Sequence, residues 1–179
     1  MTGYFFNVLL FLIGLMNNAL ALPWFHPNND LRNNSKPQFK ARDAITGSQI
    51  NFSGQWVGRC DNSPALDLTI KHTQDQIFIS YGFMEERYVL GEVRSATSSR
   101  LSISENSNTT VGWNTDNTAL IFIHHNLFSN ENGRLNVFFS KVSMSLQEGQ
   151  LVVNGQHFYT GSNVDDFKQE TISCVYDPE

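Results

Sequence analysis

Apolar and polar residues alternate with a period of two over most of this 179-residue chain from Gly54 onward. The alternation is clearest in residues 66–70 and again in residues 77–81, with a polar stretch between the two runs. Successive side chains of a β-strand point to opposite faces, so this period indicates strands that bury one face. The pattern continues to residue 176 and predicts eight to ten short strands, with no helix of any length.

Three segments refine this prediction. Residues 87–93 have a weaker alternation and are predicted to form one strand. Residues 106–108 read Asn-Ser-Asn, a composition typical of turns, and we expect the chain to reverse there. Residues 118–124 are apolar at neighbouring positions, which indicates a strand that is buried on both faces or a barrel wall whose outer face is covered.

The alternation changes phase once within a single run. Apolar residues occupy every second position of 135–139 and then, after a shift of one residue, every second position of 142–146. An extra residue in one strand produces such a shift, so a β-bulge is predicted near Ser140 and Lys141. Many short strands joined by tight turns favour an all-β fold, a single antiparallel up-and-down β-barrel of about eight strands. A β-sandwich is the alternative.

The first 21 residues do not belong to this fold. Residues 4–16 are apolar apart from Asn7, and Ala19-Leu20-Ala21 follows, a pattern that predicts a signal peptide over residues 1–21. The run is shorter than the roughly 20 apolar residues that span a bilayer, so no stable membrane insertion is expected after cleavage. Residues 22–50 are predicted to be a flexible polar lead, and residues 51–179 the barrel domain. The protein is therefore expected to be secreted or periplasmic.

Net charge and cysteine content further limit the partners and the kind of cross-link that this protein can have. A net charge of −5 with scattered Lys and Arg residues disfavours nucleic acid as a partner. Two cysteines in an exported chain favour a disulfide over a metal site, so Cys60 and Cys174 are predicted to pair. That bond requires the first and last strands of the domain to be neighbours.

Gly54-Gln55-Trp56 lies at the start of the first predicted strand. This sequence resembles the G-x-W motif of lipocalins and related calycins, avidins included. The resemblance implies an up-and-down barrel in which the motif opens the first strand and the tryptophan packs across the closed end. It also implies a protein that carries a small ligand inside the barrel.

Sequence motifs of catalysis are lacking. The chain has no G-x-S-x-G nucleophile turn and no H-E-x-x-H zinc motif, so we expect no catalytic residue, no cofactor and no metal site. His124 and His125 are neighbours on a strand and point to opposite faces. An enzyme is the alternative only if His72, one of these two residues and His157 converge in one cleft with a carboxylate.

Aromatic residues on the predicted strands are the best candidates for a binding site. They are expected to line an apolar cup that holds one small ligand, although a filled core is the more ordinary interpretation of such residues. We therefore expect a secreted or periplasmic protein that binds an apolar or amphipathic small molecule. An extracellular interaction or inhibitor module, with a packed barrel and another protein as its partner, is the alternative. The predicted ligand-binding residues are Trp56, Tyr81, Trp113, Phe122 and Phe139.

Overall fold

The computed structural model describes residues 50–61, 63–82, 84–100, 103–129, 134–160 and 166–179. The predicted signal peptide and nearly all of the predicted polar lead lie outside these residues. All regular structure in the described part of the chain is β-strand. The strands are β1 (Gly54–Cys60), β2 (Ser63–Pro64), β3 (Leu68–His72), β4 (Gln76–Tyr81), β5 (Met84–Val89), β6 (Val93–Arg100), β7 (Ile103–Trp113), β8 (Ala119–Ser129), β9 (Leu135–Gln147), β10 (Gln150–Thr160) and β11 (Phe167–Pro178).

The strands form a nearly closed antiparallel barrel, which confirms the predicted fold class. Their order is β5-β4-β3-β1-β11-β10-β9-β8-β7-β6, and the short β2 pairs with β1. The barrel closes where the edge strand β5 lies against β7, the neighbour of the other edge strand β6, and the Gly91 amide donates a hydrogen bond of 2.7 Å to the Val111 carbonyl. The chain therefore begins in the middle of the sheet, winds to one edge, crosses to the other edge and returns to β1.

The barrel has more strands than the eight predicted, partly because residues 87–93 form two strands rather than one. β5 ends at Val89, the chain turns through residues 90–92, and β6 starts at Val93. Gly91 has a φ of 80°, a conformation that glycine adopts at little cost and that ends the strand. The predicted continuous strand was therefore wrong.

The predicted turn at residues 106–108 was also wrong, because these residues lie inside β7. Their side chains form hydrogen bonds along and across the sheet instead of to a turn. Asn106 donates to the Thr97 hydroxyl at 3.4 Å, and Asn108 pairs with Ser95 on the same neighbouring strand. Tertiary pairing therefore decides the conformation of this polar segment, whose composition alone favours a turn.

No bulge interrupts β9 at Ser140 or Lys141, in contrast to the prediction. Ser140 faces His124 on β8 and His157 on β10, and the register continues unbroken on both sides. The shift of phase in the sequence therefore reflects a change in the face of the sheet on which the apolar residues lie. Leu135, Val137 and Phe139 point outward in the first half of the strand, and Val142, Met144 and Leu146 point inward in the second half.

The core lies inside the part of the barrel to which both the early strands (β1 and β3 to β5) and the later strands (β7 to β11) contribute. We call this the closed part. The predicted disulfide between Cys60 and Cys174 is present, and it joins directly paired residues of β1 and β11. The largest fully buried side chains belong to the same hydrophobic cluster as the two cysteines: Phe52, Leu68, Ile70, Ile77, Ile79, Tyr81, Val111, Leu120, Val142, Met144, Leu151 and Tyr176.

Trp56 of the G-x-W motif is buried, and its indole N–H donates a hydrogen bond of 3.1 Å to the Phe52 carbonyl. Phe52 stacks on Trp113 with ring centroids 5.9 Å apart, and His72 contacts both rings. These aromatic rings lie together at one end of the barrel, which we call the aromatic end.

Strand length separates the aromatic end from the rest of the molecule. β1, β3, β4 and β5 have five to seven residues, whereas β7 to β11 have 11 to 13. The ends of the long strands remote from Trp113 therefore continue beyond the closed part. This continuation, called the extension below, comprises residues 93–99, 104–110, 123–129, 135–141, 156–160 and 167–171.

Candidate functional site

The structure brings four of the five predicted ligand-binding residues together, but in the core. Trp56, Tyr81 and Phe122 are buried members of the hydrophobic cluster, and Trp113 packs against it. Phe139 is 44% exposed and lies on the outer face of β9. It therefore does not share an interior cup with the other four residues, and ligand binding by any of them stays a prediction.

A row of polar residues crosses the inner face of the extension. The strand register places one such residue on each of six neighbouring strands, so the row is continuous from β6 to β11. We call this row the polar belt. From β6 to β11 it consists of Arg94, Thr109, His124, Ser140, His157 and Glu170.

An aromatic ring organises the two histidines of the belt. Phe138 packs against both of them, at 5.9 Å from the His124 ring and stacked at 5.8 Å on the His157 ring. His124 shares a hydrogen bond of 2.8 Å with the Thr109 hydroxyl through its Nδ1 atom. These contacts hold the imidazole ring of His124, and Ser140 between the two histidines is only 5% exposed.

Two buried polar atoms beside the belt lack a hydrogen-bond partner among the described residues. Asn126 is the next inward-facing residue after His124 on β8 and is 1% exposed. Its amide nitrogen donates a hydrogen bond of 2.6 Å to Glu105. Its Oδ1 atom has no partner, and neither does Nδ1 of His157. An unsatisfied buried polar group costs about 1–3 kcal/mol, so such atoms mark a place where a bound molecule or water completes the bonding.

Burial sets the protonation of two histidines. It lowers the pKa of His157 below the ordinary value of 6.5, and the nearby Glu170 carboxylate opposes this shift. Burial likewise lowers the pKa of His72 at the aromatic end. Both rings therefore favour the neutral form in the folded state.

We expect the free energy of unfolding to fall as the pH is lowered below about 6.5. The unfolded chain binds protons at His72 and His157 in that range before the folded chain does, so protonation favours unfolding. Urea denaturation at about pH 7.5 and about pH 5.5 measures the effect. The double variant His72→Gln/His157→Gln should lose part of the difference, and a difference equal to that of the wild type would contradict the assignment.

The four histidines of the sequence hypothesis do not converge in one cleft. His124 and His157 flank Phe138 near Glu170, but His72 lies at the aromatic end. His125 points outward, where it bonds to Asn108 at 2.8 Å. In the described part of the chain, no group of three or more His, Cys, Asp or Glu side chains is arranged to hold a metal ion.

The site residues predicted from the sequence did not include Asn126, Thr109 or Ser140. A signal was available for Asn126, because the inner-face period of β8 runs from Leu120 and Phe122 through His124 to Asn126. No comparable signal marked Thr109 or Ser140. Their place in the belt follows from the register between strands, which a single sequence does not specify.

The chain matches no protein-family model and no curated protein. Within residues 50–179, excluding the short undescribed gaps, no helix has the length and apolar character that a membrane span requires. The disulfide is compatible with an extracellular or periplasmic location.

Proposed function

We propose that this chain is a secreted, calycin-like binding protein that holds a small amphipathic molecule at the polar belt. The observation that carries the proposal is the pair of buried, unpartnered polar atoms, Asn126 Oδ1 and His157 Nδ1, beside the Phe138 ring. Sites for small molecules combine aromatic walls with a few convergent polar groups, and the belt has this composition.

The closed part of the barrel is a less suitable place for a ligand. Tyr81, Tyr176 and Leu68 are among the side chains that project into it, and each is almost completely buried. Small barrels commonly fill their interiors with side chains in this way, at the density of an organic crystal. The proposal therefore moves the site from the predicted apolar cup to the extension.

Charge and hydrogen bonding limit the kind of ligand. Asn126 Oδ1 is an acceptor, so the ligand needs an N–H or O–H group directed toward it. The carboxylates lie beside the two unpartnered atoms, since Glu105 bonds to Asn126 and Glu170 pairs with His157, whereas Arg94 lies at the far end of the belt. A neutral or cationic molecule is therefore favoured over an anion. The apolar part of the ligand would pack on Phe138 and on Tyr159, which lies opposite Phe138 in the register.

Several features support the secreted, calycin-like part of the proposal. The barrel is antiparallel and nearly closed, and Trp56 of the G-x-W motif packs near one end. A disulfide links the first strand to the last. The apolar N-terminal segment ends in a cleavage pattern typical of exported proteins.

Native mass spectrometry of the protein purified from its own secretory compartment tests the proposal. We expect an additional mass that disappears on denaturation. The same mass should be lost or strongly reduced in Asn126→Ala and in His157→Ala, each of which removes one of the unpartnered atoms. Asn154→Ala is the matched control, because Asn154 is exposed on the outer face of β10, where its side chain bonds to Ser173.

Circular dichroism of each variant separates loss of binding from loss of fold. A bare mass for the folded wild-type protein would overturn the proposal. A bound mass that persists in both Asn126→Ala and His157→Ala would also overturn it. A bound mass lost equally in Asn154→Ala would place the ligand elsewhere.

A further inference from the structure

The extension carries most of the exposed large apolar side chains in the described part of the chain. Six of them are 36–61% exposed and lie on four neighbouring strands, β8 to β11. We call this surface the outer apolar face. It consists of Ile123, Leu127, Leu135, Phe139, Phe158 and Phe167.

The strand register makes this face continuous. Phe139 and Phe158 are directly paired on β9 and β10. Leu127 pairs with Val137, and Phe167 pairs with Thr160 one step further along the sheet. The apolar side chains therefore form one patch. Single exposed apolar residues are common on protein surfaces, whereas a continuous patch indicates an interaction site.

The patch has its origin in the change of face along β9. In the closed part, apolar residues of this strand point inward to the core, whereas in the extension all of them except Phe138 point outward and the polar belt occupies the inner face. An antiparallel sheet with one face in water normally shows the polar residues on that face. The reversed pattern indicates that the outer face is covered by an apolar surface.

We propose that the outer apolar face binds the same face of a second copy of this chain. With about 200 Å² for a large apolar side chain, the exposed fractions amount to about 600 Å² of apolar surface. A standard interface buries about 800 Å² on each partner, so the patch with its polar rim is large enough for a dimer. A twofold axis places identical patches together, and the six apolar side chains of the patch carry no charge that would oppose this.

The charges around the patch favour a second copy. The chain has a net charge of −5, and two copies repel one another over most of their surfaces. Among the described residues, the outward positions in the cross-strand row that contains Phe139 and Phe158, and in the row that contains Ile123, carry no carboxylate. Those positions are occupied by Asn108, Thr110, His125, Lys141, Gln156, Gln169 and Thr171. Two copies can therefore approach through this face without placing Asp or Glu side chains opposite each other.

Sedimentation velocity of the mature protein over a range of concentrations tests the proposal. We expect a concentration-dependent dimer in the wild type and at least a tenfold weaker dimer in Phe158→Lys, where two like charges would meet across the axis. Val57→Lys is the matched control: Val57 is 42% exposed on β1 and pairs with Asp177. Asp177 lies ten residues from Phe167 along β11, about 33 Å at the usual rise of a strand.

Three results would overturn the proposal. The first is a wild-type monomer up to about 100 µM, and the second is a dimer that Phe158→Lys and Phe139→Lys leave unchanged. The third is a monomer that co-sediments with phosphatidylcholine vesicles and loses this binding in Phe158→Lys, since the covering surface would then be lipid. The Phe158 side chain points away from the polar belt, so the ligand mass proposed above should persist in Phe158→Lys.

Discussion

Replacement of both cysteines, Cys60→Ala/Cys174→Ala, is expected to lower the free energy of unfolding by about 4–5 kcal/mol. The bond joins residues 114 positions apart and therefore closes nearly the whole described domain into one loop. A cross-link over a loop of this size stabilises mainly by restricting the unfolded chain, by about 4.7 kcal/mol for roughly 100 residues. Both cysteines are buried between paired strands, and alanine is small enough to occupy each position without a polar group.

Denaturation with and without a reductant provides the control for this prediction. The wild-type protein should lose stability when the reductant breaks the bond, whereas the double variant should respond to the reductant hardly at all. The expected pattern is a reduced wild type close in stability to the double variant. Equal stability of the oxidised wild type and the double variant would contradict the prediction.

Gly58→Ala is expected to destabilise the protein by about 3 kcal/mol or more, the upper part of the range for overpacked sites. A β-carbon at this position would lie 2.3 Å from the Val175 carbonyl oxygen and 2.7 Å from the Tyr176 α-carbon. Both atoms belong to the backbone of β11, so a side-chain rotation cannot relieve the overlap. β1 and β11 would have to move apart beside the disulfide that joins them.

Gly112→Ala is the matched control for this substitution. Like Gly58, Gly112 lies within a strand, in this case β7, but a β-carbon there meets no atom within 4 Å. Glycine in a strand costs about 0.5–1 kcal/mol relative to alanine, so the control should leave stability unchanged or raise it slightly. Urea midpoints of the two variants make the comparison, and equal midpoints would show that β11 accommodates the extra methyl group.

Much of the fold was predictable from local patterns. The period of two in residues 66–70 and 77–81 identified β3 and β4, because alternation of side chains is a property of each strand by itself. The pairing of Cys60 with Cys174 followed from the presence of only two cysteines and was confirmed. The burial of Trp56 also agrees with the resemblance to a G-x-W barrel.

The candidate site was less predictable, as Phe139 illustrates. Its aromatic ring and its place on a strand suggested an interior role, yet its face depends on the register of β9 with β8 and β10. A shift of register by one residue moves every side chain to the other face, and the sequence of one strand does not specify its partners. The same uncertainty led to the predicted bulge at Ser140, where the strand in fact continues.

The sequence by itself determined the all-β class, the antiparallel strand arrangement and the disulfide, since these depend on alternation, turn spacing and the cysteine count. It left a barrel and a sandwich as alternatives, and the tertiary structure decided for the barrel. Only the tertiary structure decided which residues share a face. It assembled the polar belt from six strands and placed Phe139 beside Phe158 on the outside. Contacts between strands distant in the sequence decide such placements, because each depends on the register of several pairs of strands at once.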